Sequence, residues 1–150
     1  MSVIVVGVDD SDGAKAALRF ALEEAKLRQV TLRVVHAWRF SGRVGEPAIE
    51  GSEAGFRREL DESRRAAEAA LDVTVQDLAA AADGVEIERR VVEGAPATVL
   101  VEESRSAQLL VVGARGLGGF TGLLLGSVSQ QCAHHAACPV MIVRAETGAH

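Results

Sequence analysis

The apolar positions of this chain change period along its length, and the changes mark out its elements. "VIVVGVD", Val3 to Asp9, is a continuous β-branched run, the pattern of a strand buried on both faces. Asp9, Asp10, Ser11 and Asp12 follow as helix-start chemistry, with acids favoured at the positive end of the helix dipole. From Gly13 to Leu27 the residues Ala14, Ala17, Leu18, Ala21, Leu22 and Ala25 recur at helical spacing. "TLRVVHAW", Thr31 to Trp38, is a second strand, and Arg39 to Ser52 is a loop of little apolar content. Glu53 to Ala82 is a long helix, because Phe56, Leu60, Ala67, Leu71, Val75, Leu78 and Ala82 step down one face. Gly84 is its stop signal.

"VEIERRVVEG", Val85 to Gly94, is less apolar than the first strand and belongs nearer a sheet edge. Pro96 suits the first turn of a short helix that runs to about Ser106. "AQLLVVG" is a fourth strand. A glycine-rich stretch, a helix from about Ser127 to Ala136 and a last strand, Pro139 to Arg144, complete the chain. Strands alternating with helices imply parallel pairing through right-handed crossovers, an α/β doubly wound sheet. Five strands and four helices use up residues 1–150, so a single domain is expected.

Composition narrows the partners. Apolar residues make up 48% and charged ones 25%, which is ordinary globular composition. A net charge of -5 without a basic stripe speaks against nucleic-acid binding, which depends on neutralising phosphates. No apolar run approaches the roughly 20 residues that span a bilayer. The first residues lack the basic start of a signal peptide, and two cysteines make no disulfide framework, so a cytoplasmic protein with reduced thiols is expected.

The chemistry concentrates in "GARGLGGFTGLLLGS", Gly113 to Ser127, which places six glycines in fifteen residues between a strand and a helix. Glycine inside an element costs roughly 0.5–1 kcal/mol against alanine, so such density belongs where backbone turns tightly or approaches a ligand. In open α/β sheets that ligand lies beyond the carboxyl ends of the strands, where the strand order reverses. Ser127 and Gln130 read as a capping box at the start of the following helix, whose first N–H groups make an anion site. Plain turns also carry glycine, and on these residues alone a phosphate cradle and a simple turn both stay open. The stretch is not a Walker A loop, since no Gly-Lys-Ser/Thr occurs, and it does not fit the dinucleotide fingerprint.

Its spacing, Gly113-x2-Gly116-x9-Gly126-Ser127, resembles the nucleotide-loop signature of the universal stress protein family, in the branch that binds ATP. "VVGVDDSDGAKAALRFALEEA" is similar to that family's first strand and helix, and the resemblance extends to "CPVMIVR" at the far end. It implies an adenine nucleotide alpha hydrolase-like fold with five parallel strands in the order 3-2-1-4-5. It implies that ATP or AMP is held at the switch point, with Mg²⁺ bound through the phosphates. By position, Gly7, Val8 and Asp9 would lie against adenine and ribose, and Ala37 would line the adenine pocket. Val112 and Gly113 would flank ribose and adenine, and Gly116 would let the loop approach phosphate. Gly126, Ser127, Val128 and Ser129 would hold the phosphates through N–H and hydroxyl groups, with Arg115 as a further phosphate contact.

Each residue also has a plainer role. Asp9 can simply support the helix that follows, His36 can be a pocket wall or packing residue, and Cys132 and Cys138 read as small buried apolar groups. His134 and Cys138 are two ligands at a broken helix end, too few for a metal site. Phosphoryl transfer needs a residue to position the nucleophile, and no acid–lysine pair is evident. The function that the resemblance implies is therefore a nucleotide-binding regulatory protein of the stress response, and the missing pair favours a binder over an enzyme. Slow ATP hydrolysis or phosphotransfer, and a ligand-free interaction scaffold, are the alternatives. The apolar last strand has no following helix to cover it. A homodimer through Val140 to Arg144 is expected, as the resemblance also implies. Client proteins and the signal itself leave no mark in the sequence.

Overall fold

The structure, a computed structural model, describes residues 2–9, 11–39, 53–115 and 125–145. The elements run β1 (Val3–Gly7), α1 (Asp12–Arg28), β2 (Thr31–Trp38), α2 (Glu53–Ala79), β3 (Ile87–Glu93), α3 (Pro96–Ser104), β4 (Leu109–Gly113), α4 (Ser127–His135) and β5 (Val140–Val143). All strand pairs are parallel, and the sheet order is β3-β2-β1-β4-β5. The charged strand β3 occupies an edge, and the β-branched run β1 lies at the centre, as their compositions require.

Alternation along the strands feeds two cores. Ile4, Val6, Leu32, Val34, Leu109 and Val111 pack with the alanine and leucine stripe of α1 and with Leu71 and Leu78 of α2. Val5, Val35, Leu110 and Val112 point the other way, onto Val99 and Leu100 of α3 and Cys132 of α4. Small side chains let α1 lie close to the sheet, where Ala17, Ala21 and Ala25 are fully buried. Glu103 of α3 is also buried, and it is charge-paired: Arg33 of β2 reaches it at 3.1 Å and Arg90 of β3 at 3.0 Å. Removing one member of such a group strands the others without a partner, so the network fixes α3 over β2 and β3.

The element ends depart from the periodic pattern for local reasons. α2 stops at Ala79, three residues short of the apolar stripe's end, because Ala81 and Ala82 donate back to Leu78 and Ala79 in tighter turns. Val85 then donates to Ala82, which keeps it out of β3 and delays that strand to Ile87. Gly84 takes φ +87°, the left-handed conformation that ends a helix cheaply. β1 ends at Gly7, not Asp9, because the chain turns there into the cap of α1. Among the described residues no helix is long and apolar enough to cross a membrane. The expected loop Arg39 to Ser52 lies, after Arg39, outside the described residues.

Candidate functional site

β1 and β4 are neighbours in the sheet, yet their outgoing connections lead to opposite faces, β1 into α1 and β4 into α4. A crevice must therefore open beyond their carboxyl ends. The backbones of the two sides touch there. A Cβ on Gly113 would lie 2.8 Å from the Gly13 carbonyl carbon, and one on Gly13 would lie 2.7 Å from the Arg115 oxygen. No side chain fits between, so the first turn of α1 rests directly on the end of β4. Gly7 has a packing reason of its own: a Cβ there would meet Leu100 Cδ1 of α3 at 2.5 Å.

On the β1 side the polar groups pair with one another. Ser11 is the N-cap of α1, its Oγ accepting the Ala14 N–H at 3.1 Å. Asp9 accepts the Ser11 N–H on Oδ1 at 2.8 Å, so one carboxylate oxygen supports the turn and the other is left for a second task. His36 Nδ1 lies 3.1 Å from the Val8 oxygen. A carbonyl can only accept, so Nδ1 carries the proton. The half-buried imidazole thus continues the strand pairing one step past Gly7 and Val35, where the ladder ends.

The β4 side is built differently. Ala114 donates to Val143 at 2.7 Å and stays with the sheet, while its carbonyl accepts the Gly126 N–H at 2.6 Å. Ala114 and Gly126 thereby join the two ends of the glycine-rich stretch. Helix α4 begins at Ser127, with Gly126 as its N-cap and no side-chain hydrogen bond to the first turn. The expected capping box is therefore absent. Ser127 is the first helical residue, one position too late to cap, and Gln130 turns its amide to the Leu125 carbonyl at 3.1 Å. The N–H groups of Ser127, Val128 and Ser129 have no acceptor within the helix, and the dipole makes that end positive.

Of the residues expected at the site, Gly7, Val8, Asp9, Val112, Gly113, Arg115, Gly126, Ser127, Val128 and Ser129 line the ends of β1 and β4 or the start of α4. Ala37 is one strand further out, on β2. Gly116 lies outside the described residues. The Val112 side chain is in the core, which leaves only its backbone for a ligand, whereas Ser127 and Arg115 are exposed. The Gly126 N–H and the Ser129 hydroxyl are both engaged within the chain, the latter 2.8 Å from the Ala114 oxygen. Gly13 and Ala114 were not singled out by the pattern of residues, and His36 only as a pocket wall or packing residue.

Other chemistry is sparse. Burial pushes the Cys132 thiol up to about 11 and raises Cys138 as well, so both stay protonated and unreactive at neutral pH. Among the described residues no group of three or more His, Cys, Asp or Glu comes together as a metal site.

Known proteins share this fold. The family model described as Universal stress protein family matches residues 1–144. A universal stress protein of Mycobacterium tuberculosis is 40% identical over 144 residues, covering 94% of this chain and 45% of its own length. The chain thus spans about half the length of the curated relatives it matches. A solved universal stress protein in complex with cAMP is 31% identical, covers 97% of this chain and 98% of its own, and superposes with a TM-score of 0.56. The universal stress protein from Archaeoglobus fulgidus in complex with dAMP is 27% identical, covers 95% and 98%, and has a TM-score of 0.58. A match over nearly the whole chain, on the same five-stranded order, makes this chain a member of the universal stress protein family.

Proposed function

We propose that this chain is a regulatory stress-response protein that binds ATP at the crevice between the ends of β1 and β4. The observation that carries the reading is the start of α4. It is a helix of nine residues whose first N–H groups lack side-chain caps, at the point where the sheet order reverses. Two relatives of the same fold hold adenine nucleotides, cAMP and dAMP, which favours adenine as the base. In this reading Gly7, Val8, Asp9 and Ala37 face adenine and ribose, with the free oxygen of Asp9 on a ribose hydroxyl. Val112 and Gly113 contact the nucleoside through backbone. The amides of Ser127, Val128 and Ser129 and the Ser127 hydroxyl take the phosphates, with Gly116, Gly126 and Arg115 beside them. Mg²⁺ rides on phosphate oxygens and water, as that ion prefers.

The proposed groups would bind and polarise phosphate, and among the described residues none is positioned to activate a nucleophile. Regulation by the bound state is therefore favoured over turnover. The partly covered apolar strand β5 at the sheet edge supports a homodimer. Ile142→Pro removes an edge donor and is expected to give monomers in sedimentation; an intact dimer would place the interface elsewhere.

The test of the nucleotide is mass spectrometry of whatever the purified, denatured protein releases, followed by thermal shift with MgATP. A hundredfold excess over Kd is expected to stabilise by about 2.7 kcal/mol. Ser127→Asp is the informative variant. A carboxylate at the first helical position suits the helix dipole, so the fold is retained, yet it repels phosphate. ATP affinity is expected to fall on the order of a hundredfold. Unchanged affinity in this variant, or no nucleotide binding by the wild type, defeats the proposal.

A further inference from the structure

Ser129 is 1% exposed, although it belongs to the first turn of α4, where phosphate is proposed to bind. Its Oγ lies 2.8 Å from the Ala114 oxygen and 3.0 Å from the Gly126 oxygen. A serine hydroxyl has one proton, and both neighbours are carbonyl oxygens that only accept. Whichever of them receives it, the proton is spent inside the protein. Phosphate oxygens are also acceptors, so the Ser129 hydroxyl has nothing to donate to them while these contacts last.

The Ala114 carbonyl is the centre of the arrangement. It has two lone pairs, and the structure supplies two donors, the Gly126 N–H at 2.6 Å and the Ser129 O–H. Ala114 is itself 5% exposed and is fixed to β5 through its own N–H. Turning the hydroxyl outward would leave a buried carbonyl half satisfied, the expensive direction of the exchange.

We infer that the Ser129 hydroxyl is a latch, a positioning group that joins α4 to both ends of the glycine-rich stretch through Ala114 and Gly126. Phosphate recognition is thereby left to the backbone amides and to Ser127. The inference deepens the nucleotide reading and rests on it only for its consequence on affinity. The latch fixes the direction in which the amides of α4 point.

The experiment is amide hydrogen exchange by NMR on ligand-free wild type, Ser129→Ala and Ser129→Thr, with MgATP titrations of all three. The Gly126 amide is expected to be protected in the wild type and to exchange about fivefold faster in Ser129→Ala, with amides of β1 unchanged. Ser129→Thr keeps the hydroxyl and restores the protection. ATP affinity is expected to fall about fivefold in the alanine variant and to recover in the threonine one. Equal Gly126 exchange in wild type and Ser129→Ala, with ATP affinity still reduced, means a direct phosphate contact and overturns the latch. So does an unprotected Gly126 amide in the ligand-free wild type, a measurement that needs no variant to fold. Wild type that binds no nucleotide removes the nucleotide reading, and the latch is then judged on exchange alone.

Discussion

The two strand-to-helix turns that border the crevice solve the same problem in opposite ways. After β1, side chains close the turn: Ser11 caps α1, Asp9 holds the Ser11 amide, and His36 holds the Val8 carbonyl. After β4, no side chain caps the helix, and a glycine occupies the N-cap of α4. Both helices have a positive end near the crevice, but only one has spent it. An anion gains less where Ser11 already satisfies a first-turn amide than where all three amides of α4 lack an acceptor of their own. The comparison therefore supports the proposal that phosphate binds on the β4 side and that the β1 side orients the neutral part of a ligand.

The hardest test of this division is Gly113→Ala, at the place where the two sides touch. The new methyl would lie 2.8 Å from the Gly13 carbonyl carbon and 3.3 Å from the Ala14 nitrogen. Backbone on a capped helix cannot rotate away as a side chain would, so α1 must shift. Overpacking of this kind is expected to cost about 2 kcal/mol in chemical denaturation and to lower nucleotide affinity as well. A variant as stable as the wild type would mean that the two turns are not in contact in solution.

That contact also shows where the sequence was legible and where it was not. Strand β2 was readable to the residue, and the order of the sheet followed from the family resemblance, because apolar period and glycine spacing are one-dimensional signals. The start of α4 was readable only approximately. "SVSQ" has the composition of a capping box, but whether Ser127 precedes the helix or begins it depends on Ala114, thirteen residues away, accepting the Gly126 amide. Gly13 carries no mark of its role in the sequence, since its reason is the Arg115 oxygen opposite, about a hundred positions along the chain. Ala114 has no functional side chain at all, so no residue pattern could mark it. Side-chain chemistry leaves a trace in sequence, whereas a site made of backbone leaves mainly its glycines.

Ser11→Ala sharpens the comparison with a smaller effect. Losing the cap is expected to destabilise the protein by about 1 kcal/mol. Because the freed Ala14 amide is on the β1 side, ATP affinity measured well below the melting temperature should change little. A loss of affinity comparable to that of Ser127→Asp would show that α1 also holds phosphate and would erase the difference between the two turns.

The smallest effect belongs to His36. Its imidazole holds a single half-buried carbonyl, that of Val8, at 3.1 Å. Replacing it by leucine is expected to cost roughly 0.5–1 kcal/mol, the net worth of one such bond. His36→Asn places an amide N–H close to where Nδ1 is and should recover most of that loss. Nitrogen-15 NMR of the wild type should find the proton on Nδ1 in the neutral ring, since the acceptor opposite dictates the tautomer. If the proton is instead on Nε2, the Val8 carbonyl is not held, and the end of β1 is as open as the start of α4. The β1 side would then have to borrow its order from the ligand, and the contrast between a finished turn and an unfinished one would fail at its weaker member.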